Sequence, residues 1–231
     1  QEFNLFANHA QNSIFEQYFY DLNQFRRMPG NSTVTSDPRD IVEEKLGLFK
    51  VYPTTYNASP GNSTGDVLIP IDLYRLESVS VCYKDYQIGV YSAVGGSDVY
   101  KTAEELSTKE IALYESAKLA AWSKKRPVFV RHNPASDRIK VFPYPEVDVD
   151  TIKLSYIRKP NPPNWTYIIV DGTALANPSA DAGHKDFELH PSEEKNLVIQ
   201  ILKLAGVAMK DFNIAQLAGQ EEAKNIQQEK S

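Results

Sequence analysis

The chain begins with a helical pattern of apolar residues. Between residues 4 and 28, apolar side chains recur at spacings of three and four, which places them on one face of a helix of about six turns. Pro29 and Gly30 end this pattern, so we predict an N-terminal helix over residues 1–30. A proline-led start then predicts a second, short helix that ends near Leu46.

The period changes from helical to two over residues 48–95, where apolar and polar residues alternate. This section is predicted to be β-rich, with Pro70 at a sheet edge or a strand end because proline cannot donate to the ladder. A second β-rich section is predicted over residues 127–171, where short apolar runs are bounded by turn pairs such as Asp171-Gly172. Antiparallel hairpins are the economical arrangement for such strands.

Helical patterns return between the two β-rich sections and after them. Residues 102–122 are predicted to form helices, and residues 191–210 a helix opened by a proline. Residues 174–185 are small and polar and are predicted to be loop, and residues 211–231 form a polar tail. We therefore predict an α+β fold in one composite domain over residues 1–231. In it, a helical bundle from the N-terminal, central and C-terminal helices is combined with an antiparallel β-sheet or sandwich.

Charge and cysteine content exclude several classes of protein. The chain has 25 basic and 30 acidic residues, a net charge of -5, so it lacks the basic footprint of a dedicated nucleic-acid binder. Cys82 is the only cysteine, which excludes an intrachain disulfide and the common structural zinc sites. No apolar run approaches the roughly 20 residues of a membrane span, and no signal peptide is recognisable, so we expect a soluble protein.

Sequence motifs for catalysis or for cofactor binding are missing. The four histidines are scattered without metal-ligand spacing, and there is no nucleophile elbow, phosphate-binding loop or dinucleotide fingerprint. His184, Asp186 and His190 form the closest cluster, and the start of the following helix explains Asp186 and His190 as turn and capping residues. We predict no catalytic residue, no metal and no cofactor. A site assembled from residues distant in sequence is the alternative.

Two segments are candidates for binding. Lys124, Lys125 and Arg126 are the one basic concentration, in a loop that either faces phosphate or is simply solvated. The segment YIRKPNPPNW leaves a strand in a stiff, extended conformation that suits strand ends or packing between subunits. The candidate residues of this inter-subunit arm are Tyr156, Arg158, Pro160, Pro162, Pro163 and Trp165.

Three segments together resemble the adaptor, or head-completion, proteins of short-tailed phages, above all the ring proteins of crAss-like phages. The first is IPIDLYRLESVSV, residues 69–81, where a proline, an acidic residue, an aromatic residue and an arginine lead into a strand. The second is residues 126–165, with a strand ending in a proline-flanked aromatic residue and another ending in tyrosine, arginine and proline. The third is the helix in residues 187–211, followed by a polar tail.

This resemblance implies a non-enzymatic virion protein. It implies a homo-oligomeric ring of twelve subunits between the portal protein and the next tail ring or hub protein. The subunits would be made in the cytoplasm of the bacterial host. Genomic DNA would pass through the ring without sequence-specific binding. The charge agrees with this role, because a mildly acidic protein around a channel lets DNA slide whereas a basic lining holds it.

In the proteins that the chain resembles, terminal segments dock onto the portal. The matching segments here are the N-terminal aromatic helix and the tail, with Phe6, Phe15, Phe19, Ile214 and Leu217 as the expected portal or neighbour contacts. Another ring or collar protein of the same tail is an open alternative. An extracellular glycan-binding β-rich module is a second one, since it would use the aromatic strands.

Overall fold

The computed structural model describes residues 2–27, 36–57, 65–84, 99–117, 121–131, 138–146, 149–177 and 183–208, with residues 216–217, 219–221 and 223–224 of the tail. By their internal contacts the residues form two compact units. We call residues 1–49 and 160–231 the helical unit, and residues 50–159 the sheet unit. The mixed α+β fold is confirmed, and the single composite domain stays a prediction beside this division.

Helices and strands occupy most of the described chain. The helices are α1 (Glu2–Arg27), α2 (Ser36–Gly47), α3 (Thr108–Ser116) and α4 (Glu194–Ala208), the last preceded by a 3-10 turn, Pro191–Glu193. The strands are β1 (Lys50–Asn57), β2 (Asp66–Leu68), β3 (Leu73–Cys82), β4 (Lys101–Glu105), β5 (Val128–Arg131), β6 (Arg138–Phe142), β7 (Thr151–Arg158), β8 (Tyr167–Val170) and β9 (Thr173–Ala176).

The helical unit is built around α1, which packs against α2 and α4. The predicted apolar stripe of α1 is its buried face, so the N-terminal helix is confirmed; its buried apolar residues are Ala7, Ala10, Ile14, Phe15, Tyr18 and Leu22. Phe15 contacts Phe19 and Phe49 edge to face, at centroid distances of 5.2 and 4.9 Å. Lys45 of α2 forms an ion pair with the buried Glu193, which joins α2 to the start of the C-terminal helix.

The sheet unit is a seven-stranded sheet in the order β1-β7-β3-β4-β5-β6-β2. Neighbouring strands are antiparallel except β4 and β5, which are parallel, so the expectation of antiparallel hairpins is wrong for this pair. β7 lies between β1 and β3, with Val79 opposite Leu154 and Val81 opposite Ile152. These four residues contribute to a core in which their side chains are almost fully buried. Pro70 lies in the turn between β2 and β3, two residues after the end of β2, rather than within a strand at a sheet edge.

The prediction of a helix over residues 102–106 is wrong, because β4 occupies this segment. Pairing with β3 and β5 outweighs the helix propensity of TAEEL, and the Leu106 N–H completes the pairing by donating to the Phe129 carbonyl at 2.9 Å. A capping box between Ser107 and Glu110 starts α3 just after the strand. Ile111 of α3 packs on the sheet-unit core, so the central helix belongs to this unit and not to the bundle.

A second correction concerns residues 174–185, which were predicted to be loop. Residues Thr173–Ala176 form β9, which pairs with β8. Asp171 and Gly172 connect the two strands and have φ angles of 49° and 79°, the left-handed values that a two-residue hairpin turn requires. The C-terminal end of the helices predicted over residues 102–122 also differs, since residues 121–122 are not helical. Residues 85–98, which include the end of the first predicted β-rich section, lie outside the described residues.

Candidate interaction surface

The hairpin formed by β8 and β9, in the helical unit, exposes an unusual amount of apolar surface. Five large side chains are between 45% and 70% exposed, and we call them the hairpin surface: Tyr167, Ile168, Ile169, Val170 and Leu175. Successive side chains of a strand point to opposite faces, so Tyr167 and Ile169 lie on one face of β8 and Ile168 and Val170 on the other. Both faces of the hairpin are therefore apolar and accessible.

This exposure conflicts with the sequence of the strand. A continuous apolar run such as YIIV is typical of a strand that is buried on both faces. Among the described residues, β8 pairs with β9 and with no other strand. A two-stranded hairpin is marginally stable by itself in water. The hairpin therefore has the composition of a buried element and the exposure of a surface element, which is typical of a contact site.

The approach to the hairpin is fixed to α1 by the amide of Asn4. The Asn4 side-chain N–H donates to Asn164 Oδ1 at 2.7 Å, and the Trp165 backbone N–H donates to Asn4 Oδ1 at 2.9 Å. Asn164 also exchanges two backbone hydrogen bonds with Lys185, at 2.9 and 3.0 Å. The chain that enters β8 is thus held from two sides within the helical unit.

Aromatic stacking and a closing pair of hydrogen bonds fix the base of the hairpin. Trp165 stacks on Tyr167 with centroids 5.6 Å apart, and Phe3 of α1 contacts Trp165 edge to face at 6.0 Å. The Thr166 hydroxyl donates to the Asn177 carbonyl at 2.6 Å, and the Asn177 N–H donates to the Thr166 carbonyl at 2.9 Å. The hairpin surface therefore projects from an ordered base.

Gln11 supports the same region from inside the helical unit, and sequence analysis did not single it out. Its side chain is fully buried, donates to the Asn161 carbonyl at 2.7 Å and accepts from the Glu188 N–H at 3.1 Å. Both polar ends of the amide are thereby satisfied, which burial requires. The signal was a glutamine four residues after Ala7 and three before Ile14, within the apolar stripe.

The residues of the predicted inter-subunit arm have different surroundings. Tyr156 is 5% exposed in the sheet-unit core and its hydroxyl donates to Asp72 at 3.2 Å, so it offers no surface to a neighbour. Arg158 is half-buried, and its guanidinium donates to the Lys159 carbonyl. In the helical unit, Pro160 and Pro163 are buried, whereas Pro162 and Trp165 are exposed. Of the predicted arm, Trp165 is the residue that adjoins the hairpin surface.

The residues predicted to contact the portal differ in how far they are exposed. Phe15 is a core residue, Phe19 is partly buried, and Leu217 is exposed, while Ile214 lies outside the described residues. Phe6 lines a groove of about 450 Å³ on the helical unit. The other residues that line this groove are Leu5, Asn8, His9, Asn12 and Leu204. Docking of the two termini stays a prediction.

The basic loop of the sheet unit is a tight turn closed by Ser123 and Arg126, whose N–H donates to the Ser123 carbonyl at 2.8 Å. Lys124 lies over the ring of Tyr83, 5.8 Å from the centroid, and Lys125 and Arg126 are exposed. The turn presents two accessible positive charges, and contact with DNA stays a prediction.

One member of the histidine cluster, His190, has the capping role expected from the sequence. His190 caps the 3-10 turn by accepting from the Ser192 N–H at 3.2 Å, which confirms its capping role. The Nε2 atom of His184 lies 3.0 Å from Oδ1 of Asp186.

Within the described ranges, no three histidine, cysteine, aspartate or glutamate side chains are grouped closely enough to hold a metal ion. No helix of the described residues combines the length and the apolar character that a membrane crossing needs.

Comparison with protein families and with curated proteins identifies no relative. The sequence matches no protein-family model, and no curated protein is significantly similar to it. The functional interpretation therefore depends on the residues of the chain and on the surfaces described above.

Proposed function

We propose that this protein is a structural subunit of a tailed-phage virion, in an adaptor ring between the portal and the tail. The observation that carries this proposal is the hairpin surface, two apolar faces on a strand pair with an ordered base. Such a surface is costly to leave in water and is the usual mark of a protein that is completed by assembly. The resemblance of residues 69–81, 126–165 and 187–211 to adaptor proteins supplies the kind of assembly.

The charges of the chain support the same role. A net charge of -5 disfavours retention of DNA, while Lys125 and Arg126 at one exposed turn supply a local contact for a phosphate backbone. We therefore propose that genomic DNA passes the ring without sequence-specific binding. The proposed protein partners are further copies of the chain, the portal protein and the next tail ring or hub, and the proposed location is the virion.

The test is the mass of the purified chain in solution, measured alone and after mixing with the portal protein of the same phage. We expect a closed ring, seen by native mass spectrometry and by electron microscopy, or a ring that forms on the portal. A ring without portal affinity would favour the alternative of another ring or collar of the tail. A monomer at all concentrations that ignores the portal would contradict the proposal.

A second candidate function is glycan binding by an extracellular module. Trp165 and Tyr167 favour it, because both rings are exposed and lie nearly parallel, as in an aromatic platform for a sugar ring. The substitution Trp165→Ala separates the two functions. It should abolish binding to a glycan array if this candidate is right, and it should weaken assembly if the ring proposal is right.

A further inference from the structure

The hairpin surface points to one occupant: we propose that it is the contact by which one copy of this chain binds a second copy. This inference deepens the proposed function and depends on it for the arrangement of the copies in a ring. It assigns the contact between subunits to Tyr167, Ile168, Ile169, Val170 and Leu175.

The first argument is area. Large side chains that are about half exposed each present on the order of 100 Å², so the five residues present on the order of 500 Å² of apolar surface. A specific interface of standard size buries about 800 Å² on each partner. The hairpin surface would therefore supply more than half of one side of a stable interface between copies.

The second argument is charge. Each copy of the chain carries a net charge of -5, so two copies repel each other wherever their acidic surfaces meet. From Trp165 to Asn177 the sequence contains one charged residue, Asp171, and this residue lies in the turn at the tip. A contact made by the flanks of the hairpin thus avoids like-charge repulsion between copies. A partner attracted by its own positive charge would find nothing to bind on these flanks.

The third argument is shape. Because both faces of β8 are apolar, one flat partner surface would cover only half of the exposed residues. A cleft in the neighbouring copy would cover both faces, and the hairpin would then have the burial that is typical of the run YIIV. A hairpin on one copy and a cleft on the next form a heterologous contact. Heterologous contacts that close on themselves generate rings, in agreement with the proposed assembly.

The first experiment places a charge on the hairpin surface. Ile169→Lys introduces an ammonium group at the most exposed of the five residues, and its burial between copies should weaken self-association by roughly 100-fold or more. Ser13→Lys adds the same charge at an exposed polar residue of α1, outside the hairpin surface, and should weaken self-association by less than about tenfold. Sedimentation velocity over a concentration series measures both, and thermal unfolding should show that both variants fold.

The second experiment identifies the occupant. A photo-crosslinking amino acid replaces Tyr167 in the full-length chain, and peptide mass spectrometry locates the crosslink after irradiation of the purified protein. We expect a covalent dimer in which the hairpin is joined to a peptide of a second copy. The dimer should be absent when Ile169→Lys is present in the same chain.

The outcomes separate this inference from the proposed function. If the natural chain forms a ring and Ile169→Lys forms the same ring with unchanged affinity, the hairpin is not the contact and the ring function stands. If the ring forms but irradiation of the purified protein joins the hairpin to no peptide of a second copy, the second copy is again the wrong occupant. If the natural chain remains a monomer with and without the portal, both proposals are wrong.

Discussion

Strands β7 and β8 lie close together in sequence and are both rich in apolar residues, but their surroundings differ completely. β7 alternates apolar and half-buried polar residues, is paired on both sides by β1 and β3, and buries Ile152 and Leu154 fully. β8 is apolar at every residue, pairs with β9 on one side and exposes Ile169. The strand with the more apolar sequence is thus the more exposed of the two.

The comparison teaches that apolar content alone does not mark the core. In β7 the period of two assigns each side chain to a face, and the sheet unit supplies the core that covers one of these faces. In β8 no period distinguishes the faces, and the helical unit leaves both of them in solvent. A strand of this second kind contributes little to the stability of its own chain and is available for contact with another molecule.

The largest expected effect comes from truncating one side chain in β7 and one in β8, which tests the contrast between the two strands directly. Leu154→Ala removes a fully buried side chain and should lower the free energy of unfolding of the sheet unit by about 3 kcal/mol. Ile169→Ala removes a mostly exposed side chain and should change stability by less than about 0.5 kcal/mol. Urea denaturation followed by circular dichroism measures both.

An equal loss of stability in the two variants would contradict the comparison between β7 and β8. If Ile169→Ala destabilised the dilute, monomeric chain as much as Leu154→Ala does, the hairpin would be a core element and not a contact surface. The measurement is therefore made at the lowest practical concentration, because self-association would also stabilise the hairpin.

The second effect is smaller and concerns the turn of the hairpin. Gly172 has a φ of 79° and a side chain at this residue would meet nothing within 4 Å, so Gly172→Ala adds backbone strain without a clash. We expect a loss of about 1 kcal/mol in local stability. Hydrogen exchange of the β8 and β9 amides measures it, and protection in β7 should not change.

Gly47 provides the matched control, since an alanine side chain there also has free space and no left-handed φ is imposed. Gly47→Ala should leave exchange in the hairpin unchanged and stabilise the end of α2 slightly, by about 0.5 kcal/mol. If the β8 and β9 amides exchanged equally fast in Gly172→Ala and Gly47→Ala, the turn would not be what holds the two strands in register.

The smallest effect lies at α3, an exposed element that, unlike the hairpin, is stabilised by its own cap. Hydrogen bonds from the Ser107 backbone and hydroxyl lower the pKa of Glu110 below its ordinary value of 4.5. A lowered pKa in the folded state means that the stabilising contribution is present above the ordinary pKa and is lost as pH falls through the folded value. The stability difference between the natural chain and Glu110→Gln should therefore narrow in acid.

The free energy of unfolding of the natural chain and of Glu110→Gln, measured at neutral pH and again at about pH 3, gives this difference. A difference that stays constant across that range would show that the ionised Glu110 does not stabilise the cap. The hairpin should be insensitive to the substitution, since α3 belongs to the sheet unit.

Patterns with a clear period predicted most of the elements. The stripe of α1 identified both the helix and its buried face, and the alternation in β3 and β7 identified both segments as strands, because helical and strand periods differ clearly. The turn at Asp171-Gly172 was predictable from residue types that tolerate a left-handed backbone. The basic turn was also predicted correctly as a loop.

The elements that were missed depend on distant partners. TAEEL became a strand because β3 and β5 lie on either side of it, and no local property of Ala103 or Glu104 reports these neighbours. The hairpin surface could not be predicted because a continuous apolar run is the same whether both of its faces are buried or exposed. The capping box of Ser107 and Glu110 is recognisable in the sequence and would have predicted that a helix starts directly after Ser107.

The hydrogen bonds between Asn4 and the entrance of the hairpin have a consequence for the order of synthesis. A chain grows from its N-terminus, so Asn4 leaves the ribosome long before Asn164 and Trp165, with the whole sheet unit in between. The base of the hairpin is therefore completed only after the whole sheet unit has been made. Chains that stop before Asn164 would lack a correctly presented hairpin and would therefore lack the contact surface that it carries.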